Sequence, residues 1–166
     1  MKTETRDSII VAHQAIETIE LAPHNINHDQ TVEEMVSGLS YANPDLTDAN
    51  FPNVNGGKTG IEEVKLFDVR PVPSGQSWAT DKVLATLDEA GFVPEDLPAL
   101  AVQKDYIDEL RAAGVNYLIA LGDGSRWRDS GGDVCVPYLS LEDRGFDLYY
   151  LGRQWYDDDW FVVRRK

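Results

Sequence analysis

The stretch Trp155-Tyr156-Asp157-Asp158-Asp159-Trp160 sets three carboxylates between aromatic rings. Clustered carboxylates are a chemistry for hard cations, which take several oxygen ligands. Neighbouring residues on an extended chain point to opposite sides, however, so three in a row do not converge on one ion unaided. A solvated loop with Arg128 or Arg153 as partners fits the run better, because surface ion pairs need little organisation. His24, His28 and Asp29 form a second metal-type grouping. No cysteine or second acidic pair accompanies them, and they read as a polar connector. All the histidines fall between positions 13 and 28, which leaves the C-terminal region without an imidazole base. Neither G-x-S-x-G nor H-E-x-x-H occurs. Gly57-Lys58-Thr59 resembles the end of a phosphate loop, but Pro52 stands where such a loop needs glycine. Cys135 is the single cysteine and lies between two valines. It is a poor nucleophile candidate and excludes both an intramolecular disulfide and a cysteine-based zinc cluster. These residues argue against an enzyme, with no catalytic residue, metal or cofactor expected.

The same region offers recognition chemistry instead. Residues 125–166 hold 9 of the 16 aromatic residues. Tyrosine brings large contact area at low entropic cost and keeps a polar handle, while Ser, Gly and Asp add adaptable hydrogen bonding. Trp127, Trp155, Trp160, Phe146 and Phe161 are expected in the core as large apolar rings in or beside strands. Tyr138, Tyr149, Tyr150 and Tyr156 are expected at the surface, since a phenol tolerates water.

The elements that must carry these side chains follow from periodicity. Residues 7–22 predict a helix capped by Asp7 or Ser8, with Ile9, Ala12, Ile16 and Ile19 on one face. Thr31 and Glu34 have capping-box spacing and start a second helix. A loop rich in Asn, Pro, Asp and Gly follows, and a boundary near Gly60 divides a helical N-terminal extension (1–60) from a binding domain (61–166). Beyond it come a strand around residues 64–69, a helix from Thr80 to Gly91, one or two short helices over 93–114 and a buried strand over 115–122. Val134 to Leu141 is a strand that Pro137 assigns to a sheet edge or bulge. Phe146 and Leu148 alternate against Asp147 and Tyr149, and residues 160–166 form a terminal strand. The order is α+β, with helices and strands in separate runs.

Net charge is −14 at pH 7. Residues 1–124 carry 21 acids and 8 bases, whereas residues 125–166 carry 8 acids and 7 bases. A field of this sign repels nucleic acid and anionic membrane. No apolar run approaches the ~20 residues of a membrane-spanning helix, and the N-terminus is a poor secretory signal.

The segments Ala120-Leu121-Gly122-Asp123-Gly124-Ser125-Arg126-Trp127, Val134-Cys135-Val136-Pro137-Tyr138-Leu139, Phe146 to Leu151 and Trp160 to Lys166 resemble the variable proteins of diversity-generating retroelements, above all their archaeal and viral members. The resemblance covers about residues 61–166 and implies a C-type-lectin-like fold, with two or three helices on short, mostly antiparallel strands. It also implies a variable region at about 125–160 whose exchanged side chains bind a ligand. The permissible variable positions are Arg128, Asp129, Ser130, Cys135, Tyr138, Ser140, Asp147, Tyr149, Tyr150, Gly152, Arg153, Tyr156, Asp157 and Asp158, on a framework that includes Trp127, Trp155 and Trp160. The calcium motifs and disulfides of sugar-binding lectins are missing, as is the cysteine pair of the formylglycine-generating branch. The expected partner is a protein or other macromolecule, with no nucleic acid and no membrane insertion. An enzyme of the formylglycine-generating or metal-dependent type, or a structural virion or cell-surface module, are the alternatives.

Overall fold

The computed structural model describes residues 16–166. Its main sheet has nine strands. Along the sheet run β1 (Glu17–Glu20), β5 (Phe67–Arg70), β13 (Asp159–Arg165), β8 (Tyr117–Ile119), β10 (Val134–Ser140), β11 (Gly145–Tyr150) and β3 (Tyr41–Ala42). A further two, β7 (Phe92–Pro94) and β9 (Trp127–Arg128), pair with β13 and β10 respectively. Two small ribbons stand apart: β2 (His24–Asn27) with β4 (Ile61–Val64), and β6 (Ser77–Trp78) with β12 (Trp155–Tyr156). Pairing is antiparallel except for β13 with β8 and β11 with β3.

The helices are short: α1 (Val32–Met35), α2 (Thr80–Glu89), α3 (Leu97–Ala101) and α4 (Ile107–Ala112), with a 3₁₀ turn over Val102–Tyr106 joining the last two. Thr31 and Glu34 make the reciprocal capping box at the start of α1.

The mostly-β architecture corrects the expected α+β C-type-lectin-like fold with a helical N-terminal extension. The expected helix over residues 7–22 lies outside the described residues up to Ala15. Its described end, Glu17–Glu20, is a strand paired with β5. Ile16 and Ile19 fit a helical stripe, but so short a segment leaves the choice to its neighbours, and β5 offers a free ladder. β2 and β3 likewise pair with β4 and β11, so residues 17–42 share sheets with residues 61–150. The loop containing Gly60 is itself tied down, with the Gly60 amide donating to Asp29 Oδ1 and the Gly60 carbonyl accepting from His28.

Register separates two cores. Trp160, Leu118, Leu139 and Phe146 align across β13, β8, β10 and β11, and all belong to a first apolar cluster packed by Val32, Met35, Leu97, Leu100, Ile107 and Leu110. One residue along, Phe161, Ile119, Tyr138 and Asp147 align on the opposite face. There Phe161 and Ile119 join a second cluster with Val83 and Leu87 of α2, Phe67, Val69 and Trp155. Both faces are therefore covered, but the second cover thins out toward Tyr138 and Asp147.

Pro137 lies inside the sheet, between β8 and β11, and not at an edge. The reason is local. The Pro137 carbonyl accepts from Ala120 N, so its missing N–H faces the same side, just past the end of β8. No full ladder rung is lost from the β11 side, where Pro137 sits opposite Leu148.

Candidate ligand-binding surface

Tyr138 on β10 and Tyr149 on β11 are diagonal neighbours on the second face. Their rings stack at 3.6 Å between centroids and 8° between planes. The Arg153 guanidinium lies 3.9 Å from the Tyr149 centroid, so Tyr149 is sandwiched between a ring and a cation. Tyr117 on β8 meets both tyrosines edge-on, at 6.1 and 6.4 Å. Trp155 meets Tyr149 edge-on at 5.8 Å and passes the contact inward to Phe161 at 5.3 Å. Tyr156 stands at the outer margin, 47% exposed, with Arg153 5.7 Å from its ring. Asp147 closes the patch on the other side, its carboxylate accepting from Asn43 Nδ2 at 2.8 Å.

The column rests on a sealed base. Trp155 is fully buried and donates its indole N–H to Thr80 Oγ1 at 2.8 Å. The Thr80 hydroxyl in turn donates to the Leu151 carbonyl. The Thr80 hydroxyl thus ties α2 to the β11–β12 turn, and the cap position of α2 falls to Ala79, which has no side-chain hydrogen bond. Burial pushes the Tyr138 phenol up in pKa, with Tyr149 and Asp147 adding to it. Burial also raises Tyr149, against the opposing charge of Arg153. Both phenols therefore stay neutral and can donate hydrogen bonds at physiological pH.

The triple aspartate divides by role. Asp159 is 1% exposed, accepts from Tyr156 N at 2.8 Å and lies 3.9 Å from Arg153 Nη2. Burial pushes its carboxyl up to about 6, against the Tyr156 amide and Arg153. Asp157 accepts from Gly75 N at 2.9 Å, and its carbonyl accepts from Arg70. Asp158 is half-buried in the same tight turn between β12 and β13. Asp157 and Asp159 thus brace the β12–β13 turn. Among the described residues no three His, Cys, Asp or Glu side chains converge as a metal site would require.

The remaining candidates lie outside this column. Asp129 Oδ1 accepts from Gly131 N and Asp133 N, each at 2.9 Å, and so shapes the loop before β10. Arg128 donates to the Gly132 carbonyl at 2.6 Å, and Ser130 is exposed. Cys135 is buried on the first face, opposite Tyr150, and its thiol is pushed up in pKa by burial and by Asp129, Asp133 and Asp45. Ser140 is buried and donates to Asp143 in the β10–β11 turn. Tyr150 is 57% exposed, and a Cβ on Gly152 would meet nothing within 4 Å.

The structure thus gathers Tyr138, Asp147, Tyr149, Arg153 and Tyr156 into one patch. Arg128, Asp129, Ser130 and Tyr150 lie at a second margin, and Cys135 and Ser140 are sealed. Sequence reasoning missed Tyr117, Thr80 and Asn43, whose contributions depend on long-range pairing. It also missed an ionic network in which Glu62 meets His28 at 2.9 Å, Lys58 at 3.2 Å and Arg164 at 3.4 Å, while Arg164 reaches Glu95 at 2.8 Å. Burial alone would raise the Glu62 carboxyl, but hydrogen bonds from His28, Arg164 and Lys58 outweigh it and hold it at about 2.

Beside the patch, Thr80, Asp81, Leu84, Arg126, Asp133 and Gly152 line an open groove of about 450 Å³. Leu151 also lines this groove, and Leu151 and Gly152 lie in the chain between Tyr149 and Arg153 of the patch. Comparison with protein-family models, curated proteins and solved structures finds no match for this chain.

Proposed function

We propose that this protein binds a protein or other macromolecular ligand through the face of β10, β11 and β12 that carries Tyr138, Asp147, Tyr149, Arg153 and Tyr156. The supporting observation is the Tyr138–Tyr149–Arg153 column, half-open to solvent and mounted on the buried Trp155. Rigid aromatic anchors that keep a polar end are the side chains that carry binding energy, and a stacked, ordered column pays little entropy on association. Arg128, Ser130, Gly152 and Tyr156 are exposed near it, and Tyr150 is exposed on the opposite face of β11. Substitutions at such positions usually change stability by less than ~0.5 kcal/mol, so exchange of side chains there, as the retroelement resemblance implies, is compatible with folding.

The direct test exposes the purified protein to cell-surface and virion extracts, identifies the captured ligand and then repeats binding with Tyr156→Ala and Arg153→Ala. A loss of about ten-fold or more in affinity, with folding retained, supports this surface. A ligand bound equally well by both variants removes it. A near-identical template repeat beside a reverse-transcriptase gene is the genomic expectation; absence of both leaves a binding surface that is not diversified.

A further inference from the structure

The outer edge of β11 is covered over only half its length. β3 pairs with it at Gly145 and Phe146, and the chain then leaves at Asn43. Alternate residues of a strand turn their main-chain groups to opposite sides. Phe146, Leu148 and Tyr150 face outward: Phe146 O accepts from Asn43 N at 2.9 Å, Leu148 N donates to Asp147 Oδ1 at 2.8 Å, and Tyr150 O accepts from Arg153 N at 3.2 Å. Two outward groups remain, Leu148 O and Tyr150 N, and neither has a hydrogen-bond partner among the described residues.

The identity of that pair fixes an orientation. An antiparallel strand exchanges bonds with both groups of a single residue. At Leu148 the amide is already taken by Asp147, and at Tyr150 the carbonyl is drawn into the turn that ends the strand by Arg153 N. A parallel strand places one residue between the two, its N–H donating to Leu148 O and its carbonyl accepting from Tyr150 N. That rung is open, and β3 already runs parallel on the same edge. The surroundings are acidic. Asp147 lies on the strand, Asp129 and Asp133 are in the loop beside Cys135, which pairs with Tyr150, and Asp45 follows β3. The nearby cations are engaged: Arg128 with the Gly132 carbonyl, and Arg153 with Tyr149 and Asp159.

We propose that the open half of the β11 edge accepts an extended, lysine- or arginine-bearing segment of a partner protein as a parallel strand. This goes beyond the phenolic patch, because main-chain groups of Leu148 and Tyr150 do the binding. A second copy of this chain is a poorer occupant, since each copy brings a net charge of −14.

The test uses the full chain and a pool of synthetic peptides of about eight residues, with Lys or Arg alternating with Val, Thr or Ser. Fluorescence anisotropy reads affinity, and NMR reads amide exchange. Members of the pool are expected to bind, glutamate-bearing counterparts about ten-fold or more weaker, and N-methylation in one of the two alternate registers should cost a similar factor. Exchange at the Tyr150 amide should slow by about ten-fold or more on binding, while the Leu148 amide is unchanged. A spin label on the peptide C-terminus should broaden Gly152, and one on its N-terminus should not. Tyr156→Ala should leave peptide affinity within about two-fold, which separates this edge from the patch. The proposal is overturned if no member binds, if N-methylation is harmless in both registers, if Tyr150 is not protected, or if the N-terminal label broadens Gly152. Concentration-dependent self-association that protects Tyr150 without peptide would also overturn it.

Discussion

The β10–β11 ribbon has two faces built from interleaved residues, and they meet different fates. Leu139 and Phe146 are buried beneath the α1, α3 and α4 side of the molecule. Tyr138, Asp147 and Tyr149, one residue out of phase, remain half-open. Both faces are rich in large side chains, so residue type alone does not separate them. The difference lies in the cover. α2 and the β6–β12 ribbon reach across the second face as far as Trp155 and stop, and the tyrosines begin where they stop. A stack at that boundary gains rigidity from the core and keeps its polar rim in water.

Substitutions that empty the sealed face give the widest contrast. Phe146→Ala should cost ~3–5 kcal/mol in denaturant unfolding, whereas Tyr149→Ala should cost about 1–2 kcal/mol. Equal losses would mean that the second face is as closed as the first. A buried carboxyl sharpens the contrast through pH. Asp68 is 0% exposed, with Gln103 Nε2 donating to its Oδ1 at 2.8 Å. Burial pushes its carboxyl from 3.8 up to about 7, against that hydrogen bond. Folded protein therefore holds a proton that the unfolded chain has already released. The stability contributed by this group is complete below about pH 4 and is lost as pH rises through about 7. Asp68→Asn should flatten the pH dependence of unfolding in that window, and an unchanged slope would refute the assignment.

Smaller effects belong to the open face. Arg153→Ala removes the cation from Tyr149 and from buried Asp159, and a loss of about 1–2 kcal/mol is expected, partly restored by Arg153→Lys. Smallest of all, Gly152→Ser should change stability by less than ~0.5 kcal/mol. Gly145→Ser, at the start of β11, should be worse, because a Cβ there would lie 3.1 Å from Tyr41 Cβ and its carbonyl oxygen. A thermal-melt series across the two glycines checks the order.

Local signals were legible where the physics is local. The Thr31–Glu34 capping box, the short helices between Leu97 and Ala112 and the alternation Phe146, Asp147, Leu148, Tyr149 all follow from spacing. The buried rings Trp155, Trp160, Phe146 and Phe161 were legible from size and apolarity; Trp127 is only partly buried, packed beside Phe51. What the chain did not announce depends on pairing partners distant in sequence. Glu17–Glu20 becomes a strand because β5 is beside it, and His24–Asn27 because β4 is. Asp157 and Asp159 are indistinguishable from solvated acids until Gly75 N and Tyr156 N are brought to them. Pro137 avoids the edge because β8 ends opposite it.

β13, the last strand in chain order, lies between β5 and β8 with β7 also bonded to it. On a ribosome, none of its neighbours can complete its hydrogen bonding until this strand has left the exit tunnel. The nascent chain would meanwhile carry apolar strand rims with no mate, a period in which chaperone protection matters most. Removing β13 should therefore prevent folding as a whole, and an unstructured precursor that folds when the missing strand is supplied as a peptide would be the corresponding experimental signature.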